Sequence, residues 1–270
     1  MTDSSFDPLL GAAPEEIPLP AAPLVTVLSQ VRFPEIISIR QKSFIAGFQE
    51  LVREDYPLIS DEQVKAIEFD AHGAKVAVSD ESVWRFIDER GTWRLTLTPN
   101  FFSLETRTYT SRADFTERLG KIIESAGKTL KPTHVTRIGM RYVDRVPLKG
   151  GATLDGMLRP EMLGLAGSSI REGIDHAISE VMCKVKEGQM LARWGLLPGR
   201  GTHDPEIMPP ASDPSWFLDI DTFANYQNSP VRYESSMIRS TALALATRSY
   251  SFFRWAVTRQ FLEAFGGAVK

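Results

Sequence analysis

The chain has 270 residues, 43% hydrophobic and 24% charged, with a formal net charge of -3. This is ordinary globular composition with enough apolar material for a sizeable core, and it speaks against a protein that holds nucleic acid by general positive charge. The single cysteine, Cys183, excludes an intrachain disulfide and a thiolate zinc site, and its place in the apolar alternation Val181, Cys183, Val185 reads as core.

Residues 1–22 are rich in Pro, Ala and acidic side chains and show no period, so they read as a disordered leader or as an arm that docks on a partner. They lack the basic-then-apolar order of a secretory signal. No apolar run approaches the about 20 residues of a membrane span, and the expectation is a cytoplasmic protein that does not enter a membrane.

Leu24–Phe33 alternates with period two and predicts a half-buried strand, and the spacing of Ile37, Phe44, Phe48, Leu51 and Val52 predicts a helix over 35–54. Short strands follow at Lys75–Val78, Ser82–Asp88, Thr92–Thr98 and Phe101–Thr108, with links short enough to require antiparallel hairpins. Ser111 and Asp114 form a helix-start signature for a helix running to Thr129, and a strand follows at His134–Val146.

A glycine-rich connector over 151–175 holds one short helix near Leu154–Leu163. Beyond it lie strands Ala177–Lys186, Gln189–Leu197 and Trp216–Phe223, with a Gly/Pro loop at 198–214, and a long helix from Glu234 to Phe265. The expected fold is α+β: antiparallel sheet with long helices packed on one face, in two halves (23–150 and 176–270) of similar element order that share a core.

One constellation stands out. In Thr136–Val146 the even positions Ile138, Met140 and Tyr142 are apolar, which places Arg137, Arg141 and Arg145 together on the opposite face. The same alternation puts Arg94, Glu105, Asp219 and Asp221 on the polar side of their strands. Such a face can be a solvated surface tiled with cross-strand ion pairs, a docking surface for an anionic ligand or a protein, or the buried face of a homodimer.

Asp219 and Asp221 invite a metal reading, but no third oxygen ligand accompanies them, so no metal site is expected. His72, His134, His176 and His203 lack ligand spacing and read as solvated or capping residues. No nucleophile elbow, dinucleotide fingerprint, phosphate loop or zinc-protease motif occurs, and no cofactor is expected.

Several phrases in order resemble a sporadically distributed bacterial family known by a number rather than a name: Val31-Arg32-Phe33, Trp93-Arg94-Leu95, Thr108-Tyr109 with Ser111 and Phe115, Arg137-Ile138-Gly139 with Arg141-Tyr142, and Phe217-Leu218-Asp219-Ile220-Asp221. The resemblance brings no established activity, cofactor or catalytic residue; the patchy distribution it implies is that of accessory genes, defence genes among them.

The expected function is a non-enzymatic protein-interaction module of chaperone, antitoxin or defence type, working through the arginine face or a self-associating sheet edge on a protein partner or a second copy. Two alternatives stand beside it. One is a helix-grip binder of a small apolar ligand, and the other is an enzyme or nucleic-acid-processing subunit using Asp219, Asp221 and the arginines.

Overall fold

The computed structural model describes residues 6–64, 68–70, 73–75, 81–151 and 154–268. The chain opens with β1 (Leu24–Arg32), a 3-10 turn (Ile37–Arg40) and α1 (Lys42–Val52). Strands β2 (Leu58–Val64), β3 (Glu68–Asp70), β4 (Gly73–Lys75), β5 (Glu81–Ile87), β6 (Trp93–Thr98) and β7 (Phe101–Thr106) follow. Then come α2 (Arg112–Thr129), β8 (His134–Val135), β9 (Arg137–Pro147) and α3 (Pro160–Leu163). The last elements are β10 (Ala177–Val185), β11 (Gly188–Leu197), β12 (Ser215–Asn225), β13 (Val231–Arg232), α4 (Ser235–Ala256) and α5 (Arg259–Ala264).

Among the described residues nine strands make one antiparallel sheet in the order β10-β11-β12-β9-β1-β7-β6-β5-β2, so the α+β class with an antiparallel sheet is the observed one. The order reflects the hairpin links: β5, β6 and β7 are joined by turns too short to do anything but fold back. Among the described residues no helix is long and apolar enough to cross a membrane.

Three elements differ from expectation. Strand β2 has no apolar alternation in its sequence LISDEQV and escapes a period-two reading. The strand expected at Lys75–Val78 lies, beyond Lys75, outside the described residues. The long C-terminal helix is divided at Val257–Thr258, because Val257 forms a β-bridge with Leu158 and the Thr258 N–H donates to Met157 O at 2.9 Å. Thr258 then caps α5 by accepting from the Phe261 N–H.

The chain forms two compact units. The first comprises 1–27, 139–224 and 243–270. On one face of its strands Trp216, Leu218 and Ile220 of β12, with Met190 and Ala192 of β11, pack against Phe252 and Ala256 of α4 and Phe261 and Leu262 of α5. The alternate residue of β12, Phe217, joins Val143, Leu197 and Met208 in a second apolar cluster on the opposite face.

Residues 6–22 form no regular element, yet they lie along this unit. Leu9, Ile17 and Leu19 pack on its main core, and buried Arg248 donates to both carboxylate oxygens of Glu187 and to the carbonyls of Pro8 and Gly11.

The second unit comprises 28–138 and 225–242. Its core includes Phe48 edge-on to Phe86 at 5.7 Å and Trp93 stacked on Phe115 at 5.7 Å. The Trp84 indole donates to Ile39 O at 2.8 Å, which ties the 3-10 turn to β5. The expected start of α2 is present: Ser111 Oγ accepts from the Asp114 N–H at 3.1 Å.

Candidate functional site

The polar face of the first unit is built by strand register. Glu180 of β10 stands opposite Arg193 of β11, which stands opposite Asp219 of β12. Arg193 binds Glu180 at 2.6 Å. Arg141 of β9 grips Asp219 with a two-pronged fork, Nε to Oδ1 at 2.8 Å and Nη2 to Oδ2 at 2.7 Å, and Nη2 reaches Asp204 at 3.0 Å. Period two puts all these side chains on one side, and the arginine-rich alternation of β9 is the reason the row exists.

The sequence did not reveal what covers the row. The Gly/Pro loop 198–214 folds back over this face. Met208 is fully buried against Phe217 and Val143, and His203, only 7% exposed at its side chain, stacks on Phe217 with ring centroids 4.5 Å apart. His203, expected to be solvated or capping, instead turns its side chain inward, with Nε2 2.7 Å from Asp219 Oδ2 and its ring stacked on Phe217.

The loop is clamped from below. Buried Arg145 gives Nε to Ser215 Oγ, Nη1 to Pro209 O and Nη2 to Gly201 O, while Thr26 Oγ1 donates to Ile207 O. A buried guanidinium whose partners are carbonyls and a hydroxyl holds loop backbone in place, as in compact Ω-loops.

The electrostatics follow from burial against pairing. Burial alone would raise the Asp219 carboxyl, but the hydrogen bonds from Arg141 and His203 hold it below the ordinary aspartate value. Burial alone would lower Arg141, yet Asp219 and Asp204 keep it firmly charged. His203 Nδ1, on the far side of the ring from Asp219, is buried with no hydrogen-bond partner among the described residues.

The other expected site residues fall elsewhere. Asp221 lies on β12 opposite Leu191 and is half-buried. In the second unit Arg94 and Glu105 stand opposite each other and pair at 2.7 Å, and Arg137 points its Nη1 toward Gln30 at 3.5 Å. Arg141, Arg145, Asp219 and Asp221 thus belong to the first unit, and Arg94, Glu105 and Arg137 to the second.

Asp144 reads in sequence as ordinary variation within the β9 run. Asp144 occupies an even position of β9, on the apolar side with Ile138, Met140 and Val146, and is 3% exposed. Burial pushes its carboxyl up to about 7, and among the described residues no ion pair opposes the shift. The signal was present in the alternation: an aspartate where period two demands an apolar residue.

Replacing His203 by alanine is expected to release the loop while leaving the sheet folded. Tryptic cleavage after Arg200 should accelerate by roughly tenfold, which equals about 1.4 kcal/mol of local opening free energy. An unchanged cleavage rate would mean that the carbonyl clamps alone hold the loop.

No family model matches this chain, and no curated protein matches it.

Proposed function

We propose that this chain is a non-enzymatic accessory protein of the bacterial cytoplasm that acts by binding protein through strand addition at the open edge of β10. Membership in the numbered bacterial family is part of this proposal and rests on the Arg-Ile-Gly-Met-Arg-Tyr run of β9. The finer architectural reading, long helices on one face and two halves of similar order, belongs to it too; in the first unit it is supported by α4 and α5 packing on the even residues of β12.

The observation that carries the proposal is the edge itself. β10 is the terminal strand of the sheet, and it pairs with β11 through nine consecutive residues with no bulge. Its face keeps Ile178 and Met182 exposed at 44% and 53%. Exposed Leu165 and Ile170 lie in and just after the 3-10 turn Gly164–Gly167, which sits against β10 and β11. A flat edge beside apolar surface is the geometry that accepts an added strand.

The arginine face is a weaker candidate for docking, since Arg141 and Arg145 direct their donors to groups inside the unit. A photo-crosslinking residue placed at position 182 of the full chain should give one discrete adduct in bacterial cells, and the same residue at the exposed Leu243 should give none. Loss of the difference between the two positions would overturn the reading.

A further inference from the structure

Exposed sheet edges invite unwanted pairing, and proteins blunt them with a lone lysine, a proline or a bulge. β10 has neither proline nor bulge, and its one lysine, Lys184, is balanced on the same face by Glu180. Each of the two lies two residues from Met182. This arrangement is its own complement under a two-fold rotation.

We propose that the occupant of the β10 edge is the β10 edge of a second copy, paired antiparallel about a two-fold axis through Met182. The proposal rests on the strand-addition reading above and names its partner. In this register Glu180 faces the second copy's Lys184, Lys184 faces the second copy's Glu180, and the two Met182 side chains meet on the axis. On the other face Val181 faces the second copy's Cys183. Both residues pack on the main core of the first unit, so apolar side chains meet on that face beside the axis, with Ser179 opposite Val185 beyond them.

Neighbouring registers lose these matches. An axis through Val181 sets Glu180 against Met182 and Ile178 against Lys184, whereas the Met182 axis matches both charges and leaves Ile178 opposite Lys186, past the end of the strand. An axis through Cys183 sets Met182 against Lys184 and sends Glu180 to Lys186, which lies past the end of the strand with its N–H bonded to Leu9 O. Opposite charges directly across a ladder favour a register, and misplaced ones disfavour the alternatives. The symmetry also accounts for the exposed methionine, since a flexible thioether adapts well to meeting its own copy.

The test is sedimentation equilibrium of the full chain from about 1 to 200 µM, a range that spans the weak-to-moderate affinities of small interfaces. A concentration-dependent dimer is expected. Lys184→Glu should weaken it by roughly tenfold, and adding Glu180→Lys should recover part of that loss, since position 180 also faces Arg193 within the chain.

Register is read separately. In a Cys183→Ser background, Met182→Cys should form a covalent dimer on oxidation and Lys184→Cys should not, because only facing positions bring Cβ atoms within disulfide reach. A chain that stays monomeric throughout the range, a dimer indifferent to Lys184→Glu, or cross-linking at 184 in place of 182 would overturn the proposal. If the chain is monomeric while the probe at 182 captures a different protein, self-pairing fails and strand addition stands. If 182 captures nothing, both fail.

Discussion

Replacing Asp219 by alanine is expected to lower the unfolding free energy by about 3–5 kcal/mol, the usual cost of removing one partner from a buried ion pair. The carboxylate is almost fully buried and accepts hydrogen bonds from Arg141 Nε and Nη2 and from His203. Its removal leaves a guanidinium under the loop with Asp204, at 3.0 Å, as its remaining ion-pair partner among the described residues, and takes the carboxylate from the His203 ring. Because the Asp219 carboxyl is held below its ordinary value, its contribution is fully present above the unfolded value of 3.8 and is lost as pH falls below it.

Removing both charges at once, as in Arg141→Met with Asp219→Leu, should cost much less than the single change, since the desolvation of the surviving charge dominates the single variant. Urea unfolding at pH 7 checks both. A loss below about 1 kcal/mol for Asp219→Ala would mean that the cluster behaves as a solvent-screened surface pair.

Replacing Asp144 by asparagine is expected to act in the opposite direction. The carboxyl is neutral in the folded chain up to about pH 7 but titrates near 3.8 when unfolded. The folded state therefore binds the extra proton between those values, and stability falls as pH rises through that window before levelling off above it. A separation of about three pKa units corresponds to about 4 kcal/mol at the plateau.

Asp144→Asn should thus stabilise the protein at pH 8 by up to about 4 kcal/mol and change little near pH 4, where the aspartate is already neutral. Unfolding measured at both values decides it: an equal effect of the substitution at pH 4 and pH 8 would show that the carboxyl is solvated. A buried carboxyl without a charge partner is a cost that an asparagine of the same shape does not carry.

Local pattern alone determined the elements whose physics is local. Ser111 with Asp114 marked the start of α2, two short links required the β5–β6–β7 hairpins, and the alternation of β9 set its arginines on one face with Ile138 and Met140 on the other. Neighbouring alternations likewise placed Arg94 with Glu105 and put Asp219 on the polar side of β12, because a period of two is a property of the strand itself.

What lies above a strand is not. The loop 198–214 shows no period, and its closure over Arg141, Arg145 and Asp219 depends on contacts far apart in the chain: Thr26 with Ile207, Arg145 with Gly201 and Pro209, His203 with Phe217 and Asp219. A histidine between glycines and prolines carries no local sign of burial, and its place was decided when Phe217 and Met208 needed cover from water. The division of α4 from α5 was likewise decided by backbone bonds from Leu158 and Met157, which no helical period records. The open edge of β10 followed from strand order, since which strand ends a sheet is a matter of pairing across the whole chain.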